Sequence, residues 1–224
     1  MQLLETGKFP SGSPEDGPEG YVGGADWRDR LANAVRVGED WLGWLHLGLM
    51  CYHQGDVAGA RAAWQRSREA YENPWAMRNL AWIAWEASLD DEAAALYIAA
   101  VRAAPACAPL AIECGRKLLA MERSKAWLDL IAELPDDVRT LGRVRLLEGQ
   151  AALAVGALDR VASLFDGSLI VEDLREGERS LSDLWFEYQT LRVSREASIP
   201  ITEALRERVR ESYPVPETLD FRMS

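Results

Sequence analysis

Trp44-Leu45-His46-Leu47-Gly48-Leu49-Met50-Cys51, followed by Ala60-Arg61-Ala62-Ala63-Trp64, decides the fold. The first string carries Trp-x2-Leu-Gly-x2-Cys and the second carries Ala-x3-Trp. The same phase returns 33 residues later as Met77-x2-Leu80-Ala81-x2-Ala84 and Ala93-x3-Tyr97, closed by Pro105. Apolar residues three and four apart within each string place one face of a helix in a core. A recurring pair of such strings is one helix–turn–helix unit repeated.

Outward from these two units the phase persists while the side chains change. Gly48 and Ala81 lead to Cys114, Ala60 and Ala93 lead to Ala126, and Trp64 and Tyr97 lead to Leu130. Small residues thus recur where two helices of a unit cross closely, and large apolar ones recur where the second helix fills the layer. A fourth unit keeps the internal offsets in Gly149, Val161 and Phe165, with Gly156 at its turn and the Leu134-Pro135-Asp136 loop absorbing a two-residue delay. The expected units are 39–73, 74–105, 106–135 and 136–166. Gly55 is expected to end one helix, Asp56 to cap the next, and Asn73-Pro74 to separate the first two units.

The flanks read differently. Residues 1–24 hold five glycines and two prolines between Ser11 and Gly24, which leaves little to bury, and are expected to form a flexible segment. Asp26 is expected to cap a short helix within 25–38, with Leu31, Ala34 and Val35 toward the array. Beyond Asp166 the repeat gives way to an acidic loop. A helix over Leu181 to Ala197 follows, then one capped by Thr202, then an extended tail within 167–224. These two helices are the expected cover for the last repeat.

Bulk properties narrow the function. Net charge is −11, from 25 basic and 36 acidic residues. That field repels a phosphate backbone, and the Arg139, Arg143 and Arg145 cluster is flanked by acids, so nucleic acid is not expected as a partner. Three cysteines at unpatterned spacing and no visible secretory signal point to a cytoplasmic chain. The longest apolar run, Trp41 to Tyr52, is too short to span a bilayer, so no membrane is expected.

The repeat over Glu39 to Asp166 resembles the tetratricopeptide (TPR) superfamily. The fold this implies is all-α, a TPR-like right-handed α-solenoid of about four helical hairpins with C-terminal capping helices. A narrower resemblance rests on Gly38-Glu39-Asp40-Trp41, Leu47-Gly48, Pro74 to Ala81, Leu174 to Glu178, Leu181 to Trp185 and Asp220-Phe221-Arg222-Met223. These strings look like the C-terminal TPR half of a bacterial family of uncharacterised proteins. Its members usually carry a β-rich, carbohydrate-active-like domain ahead of the repeats. Here only the Gly/Pro-rich segment precedes the array, so no sugar chemistry carries over.

In such arrays the first helix of each unit usually lines the concave surface. Trp75, Arg78, Trp82 and Trp85 share one helical face, and Leu42, Leu45, Leu49 and Tyr52 occupy the corresponding places one unit earlier, with His53 adjacent. Aromatic residues and Arg dominate binding hot spots. Burying one indole is worth roughly 4–6 kcal/mol, at about 25 cal/mol per Å² over about 150–250 Å². Something is therefore expected to cover this face. The partner-binding residues are taken as Trp75, Arg78, Trp82, Trp85, Tyr52, His53 and Leu49, in a non-catalytic protein–protein interaction scaffold that binds a peptide or protein. The alternatives are an accessory module of a carbohydrate-active bacterial protein, or a homodimer using the same face.

Other constellations favour ordinary structural roles. Arg78, Asn79 and Arg143 are too few for a carboxylate clamp. His46 and His53, seven apart with Cys51 between, lack the spacing of a metal site and read as two partly buried histidines. Cys114 takes the small-residue position of its helix. Catalytic residues, metal ligands and cofactors are expected to be none, since no phosphate loop, nucleophile elbow or metalloprotease helix is present.

Overall fold

The computed structural model describes residues 25–37, 40–165 and 180–216. The expectations for residues 1–24, the acidic loop and the end of the tail lie outside these, as do the strings Gly38-Glu39, Leu174 to Glu178 and Asp220 to Met223. The described residues are helical, without a strand. They divide into two compact units, one ending at Pro105 and one beginning at Ala106.

In the first unit α1 (Ala25–Val37) packs on α2 (Trp41–His53), which pairs with α3 (Val57–Ala70). A second pair, α4 (Pro74–Glu86) and α5 (Asp90–Ala103), follows, with α4 against α3. The starts are set by side chains that accept orphan amides. Asp40 Oδ1 accepts from Leu42 N at 3.1 Å, Asp56 Oδ1 from Gly59 N at 2.8 Å, and Asn73 Oδ1 from Ala76 N at 2.8 Å, with Pro74 supplying the preset φ of a first helical position. The Gly59 amide, and then the guanidinium of Arg28 on α1 at 2.6 Å, hold the Asp56 carboxyl below its ordinary range. Asp26 lies inside α1 rather than capping it, because that helix already begins at Ala25. Leu31 and Val35 are buried as expected, and Ala34 is half-buried.

In the second unit α6 (Ala108–Ala120) pairs with α7 (Ser124–Ile131), and the one-turn α8 (Asp136–Arg139) leads into α9 (Gly142–Ala154). The α9 helix packs on α6 and α7, and receives α10 (Leu158–Ala162), which runs into a 3₁₀ turn at Ser163–Phe165. Next, α11 (Ser180–Ala197) lies on α9 and α10, and α12 (Glu203–Ser212) lies on α11. Thr202 Oγ1 accepts from Leu205 N at 3.2 Å, the cap read from sequence. The chain after α12 is docked: Val215 is buried with Leu146, Leu181 and Leu184, and Trp185 Nε1 donates to the Tyr213 carbonyl at 3.3 Å.

One turn occurs four times. A left-handed residue follows α2, α4, α6 and α9 at Gly55, Ser88, Glu122 and Gly156, spaced 33, 34 and 34 residues apart. The amide one residue later reaches back five residues each time, from Asp56 to Cys51 O, Leu89 to Ala84 O, Arg123 to Leu118 O and Ala157 to Ala152 O. This is the glycine-type helix stop, and it satisfies carbonyls that would otherwise be orphaned. The period read from apolar side chains is thus also written in the backbone.

Packing follows the small-against-large rule, with two departures. Gly48 lies against the indole of Trp64, and an added Cβ would sit 2.3 Å from its Nε1. Gly48, Ala81, Cys114, Ala60 and Ala93 are all buried, and so are Trp64, Tyr97 and Leu130. In the third pair, however, Gly115 rather than Cys114 makes the close approach. Its partner is Trp127, fully buried, and Ala126 is only half-buried. In the fourth pair Gly149 meets Leu164 and, from α11, Leu184. Phe165 instead turns to Trp185 and Tyr188, at ring distances of 5.1 and 5.6 Å. The second helices here are short, so the large side chain comes from a different register.

Candidate partner-binding site

The α4 stripe and the end of α2 meet in the first unit. Trp82 Nε1 donates to Tyr52 Oη at 2.8 Å, and Tyr52 Oη donates to Glu86 Oε2 at 2.7 Å. Trp85 lies against Trp82 with ring centroids 5.5 Å apart and a tilt of 53°. Arg78, one helical turn before Trp82, places its Cζ 5.5 Å over that ring, and its Nη1 donates to Asn79 Oδ1 at 3.1 Å. Tyr52 also touches Trp64 at 5.9 Å and His53 at 6.4 Å. Four expected residues, Tyr52, Arg78, Trp82 and Trp85, therefore form one connected cluster.

The remaining expectations separate. Trp75 and Leu49 are half-buried and pack at the edge of the core that holds Leu45, Trp64 and Ile83. His53 is exposed while His46 is buried, so these are not two alike, partly buried histidines. His53 is the last residue of α2, past the reach of the covering elements. Leu42 and Leu45, expected beside Leu49 and Tyr52, are core residues instead, because α1 covers that part of α2 with Leu31 and Val35. Asn79 is buried, which takes it out of any carboxylate-gripping role.

Glu86 is the member that sequence reading missed. It stands 33 residues after His53, so the repeat marks the position, but nothing in a lone acidic residue at a helix end announces a phenol partner. The carboxylate, first, and burial push the Tyr52 phenol above its ordinary range. The phenol thus stays protonated and works as a hinge post: it accepts from one indole and donates to one acid. No nucleophile with a base beside it occurs in the cluster, and among the described residues no group of three His, Cys, Asp or Glu side chains could hold a metal ion. What the arrangement offers is recognition: two tilted indoles in fixed orientation, a stacked cation and an acid at the rim.

The three cysteines are free. Burial pushes the Cys114 thiol up to about 12, which leaves it inert as a nucleophile. No helix among the described residues is long and apolar enough to cross a membrane. No protein-family model matches the sequence, and no curated protein matches it.

Proposed function

We propose that this protein is a non-catalytic docking module of the tetratricopeptide type, which binds a peptide or protein segment through the face built from Trp75, Arg78, Trp82, Trp85 and Tyr52. The observation that carries this is the Trp82–Tyr52–Glu86 hydrogen-bond chain with Trp85 and Arg78 stacked beside it. Such a chain fixes two indoles before any partner arrives, so less side-chain entropy is lost on binding. Four helix pairs joined by one recurring turn support the right-handed solenoid reading, with α11 and α12 as its cover. The net charge of −11 favours a neutral or basic segment over a polyanion. A cytoplasmic location fits the cysteine usage.

A peptide-display selection on the whole chain, with counter-selection on Arg78→Ala/Trp85→Ala, tests the proposal. Enriched peptides should bind the wild type and lose about tenfold or more in affinity for the variant, as hot-spot truncation does. Peptides that bind both proteins equally would place recognition elsewhere and overturn it.

A further inference from the structure

A second surface has different chemistry. In the second unit a cleft of about 430 Å³ opens where α8, α9 and α10 converge beside the end of α7. Each of those three helices contributes one guanidinium: Arg139, Arg145 and Arg160. The only carboxylate lining the cleft is Glu148, so its wall carries a net charge of about +2 in a chain of −11. Sequence reading dismissed this region because Arg139 and Arg145 stand among acids. The fold sorts those acids from the bases and brings in Arg160 from fifteen residues downstream.

The pairing of these guanidiniums leaves donors for a ligand. Glu148, itself mostly buried, takes the Nε of Arg160 at 2.6 Å and so fixes the stem of that side chain. Among the described residues the terminal nitrogens of Arg160 make no other hydrogen bond or ion pair. Arg139 gives Nη2 to Asp136 at 2.6 Å, and that carboxylate is almost fully exposed, where a single pair contributes little. Ile131 supplies an apolar wall at the α7 end. The volume lies within the roughly 300–1,000 Å³ range of small-molecule sites. Planar forks facing one cavity suit an oxyanion that accepts two bonds from each. A phosphate monoester carries about −1.5 to −2 at neutral pH, which matches the wall where a single carboxylate does not.

We propose that this cleft binds a small organic phosphate monoester, with its phosphate at Arg139, Arg145 and Arg160 and its apolar body toward Ile131. Isothermal titration of the full chain at low salt, with phenyl phosphate, inorganic phosphate and benzoate as the probes, tests it. Phenyl phosphate should bind one to one with a Kd below about 1 mM, and more tightly than the other two. Arg160→Gln should weaken it by about tenfold, whereas Asp136→Asn, which frees Arg139 and removes a rim charge, should tighten it by about threefold. Arg145→Lys keeps the charge but loses the fork, so it should weaken phenyl phosphate while the chain stays folded. No saturable binding up to about 10 mM, or an affinity indifferent to both Arg160→Gln and Asp136→Asn, would overturn the assignment.

Discussion

The first two helix pairs and the last two solve one packing problem in different ways. In α2–α3 and α4–α5 the second helix has 14 residues, long enough for a large side chain sixteen residues beyond the small one to fill the layer. In α6–α7 and α9–α10 the second helix has only 8 and 5 residues. The void is filled from another register by Trp127, and from another helix by Leu184. The turn between the paired helices hardly changes. A repeat can therefore keep its backbone punctuation after its side-chain signature has dissolved, because the turn is satisfied locally while the core can be filled from several directions.

The largest effect should come from testing which residue took over the third layer. Trp127→Ala should cost about 3–5 kcal/mol, above the roughly 2–4 kcal/mol of Leu130→Ala, in urea unfolding followed by circular dichroism. Equal costs would restore Leu130 to the role its spacing suggested.

Next in size is a pH effect confined to the first pair. His46 is buried on α2, and burial lowers its pKa from 6.5 to about 4. Above about pH 6.5 both folded and unfolded states hold it neutral. As pH falls toward 4 the unfolded chain takes up the proton first, so stability declines across that window by about 3 kcal/mol in all. The urea midpoint measured from pH 7.5 to 4 should fall in the wild type and flatten in His46→Leu over this range. An unchanged slope in the variant would mean that other groups carry the acid sensitivity.

Glycine substitutions sharpen the contrast between rigid and adaptable fillings. In Gly48→Ala the new methyl meets the ring of Trp64, which is buried and pinned by its bond to Leu45 O at 3.1 Å. Overpacking outweighs the helix-propensity gain of about 1 kcal/mol, for a net loss of about 2 kcal/mol. In Gly149→Ala the new methyl meets the ends of Leu164 and Leu184, which can rotate, so the change should stay within about 0.5 kcal/mol of neutral. Similar losses at both sites would mean that the fourth pair is packed as rigidly as the first.

The smallest effect belongs to the shared turn. Ser88 holds φ of 58°, and Ser88→Gly should stabilise by about 1 kcal/mol, read as a rise in melting temperature.

Most of the helices were legible in the sequence, since apolar spacing, Asn73-Pro74, Gly55, Gly156 and Thr202 are local signals with local causes. The cluster of Tyr52, Arg78, Trp82 and Trp85 was legible too, because the repeat aligns α2 with α4. What escaped depends on tertiary placement. Leu42 and Leu45 look like groove residues until α1 covers them. Trp127 breaks the period that made Leu130 visible, and Glu86 acquires meaning only beside Tyr52. The arginine cleft was hidden because Asp136 is adjacent to Arg139 in fold and sequence, whereas Arg160 is adjacent only in the fold.

The docking proposal rests on the aromatic face being available to another molecule rather than spent on a second copy of the chain. Light scattering of the wild type beside Trp82→Ala/Trp85→Ala, over a tenfold concentration range and with helicity checked by circular dichroism, tests this most directly. The account predicts folded monomers for both proteins at every concentration. A wild-type dimer that the double variant converts to a folded monomer would contradict it and assign the face to self-association.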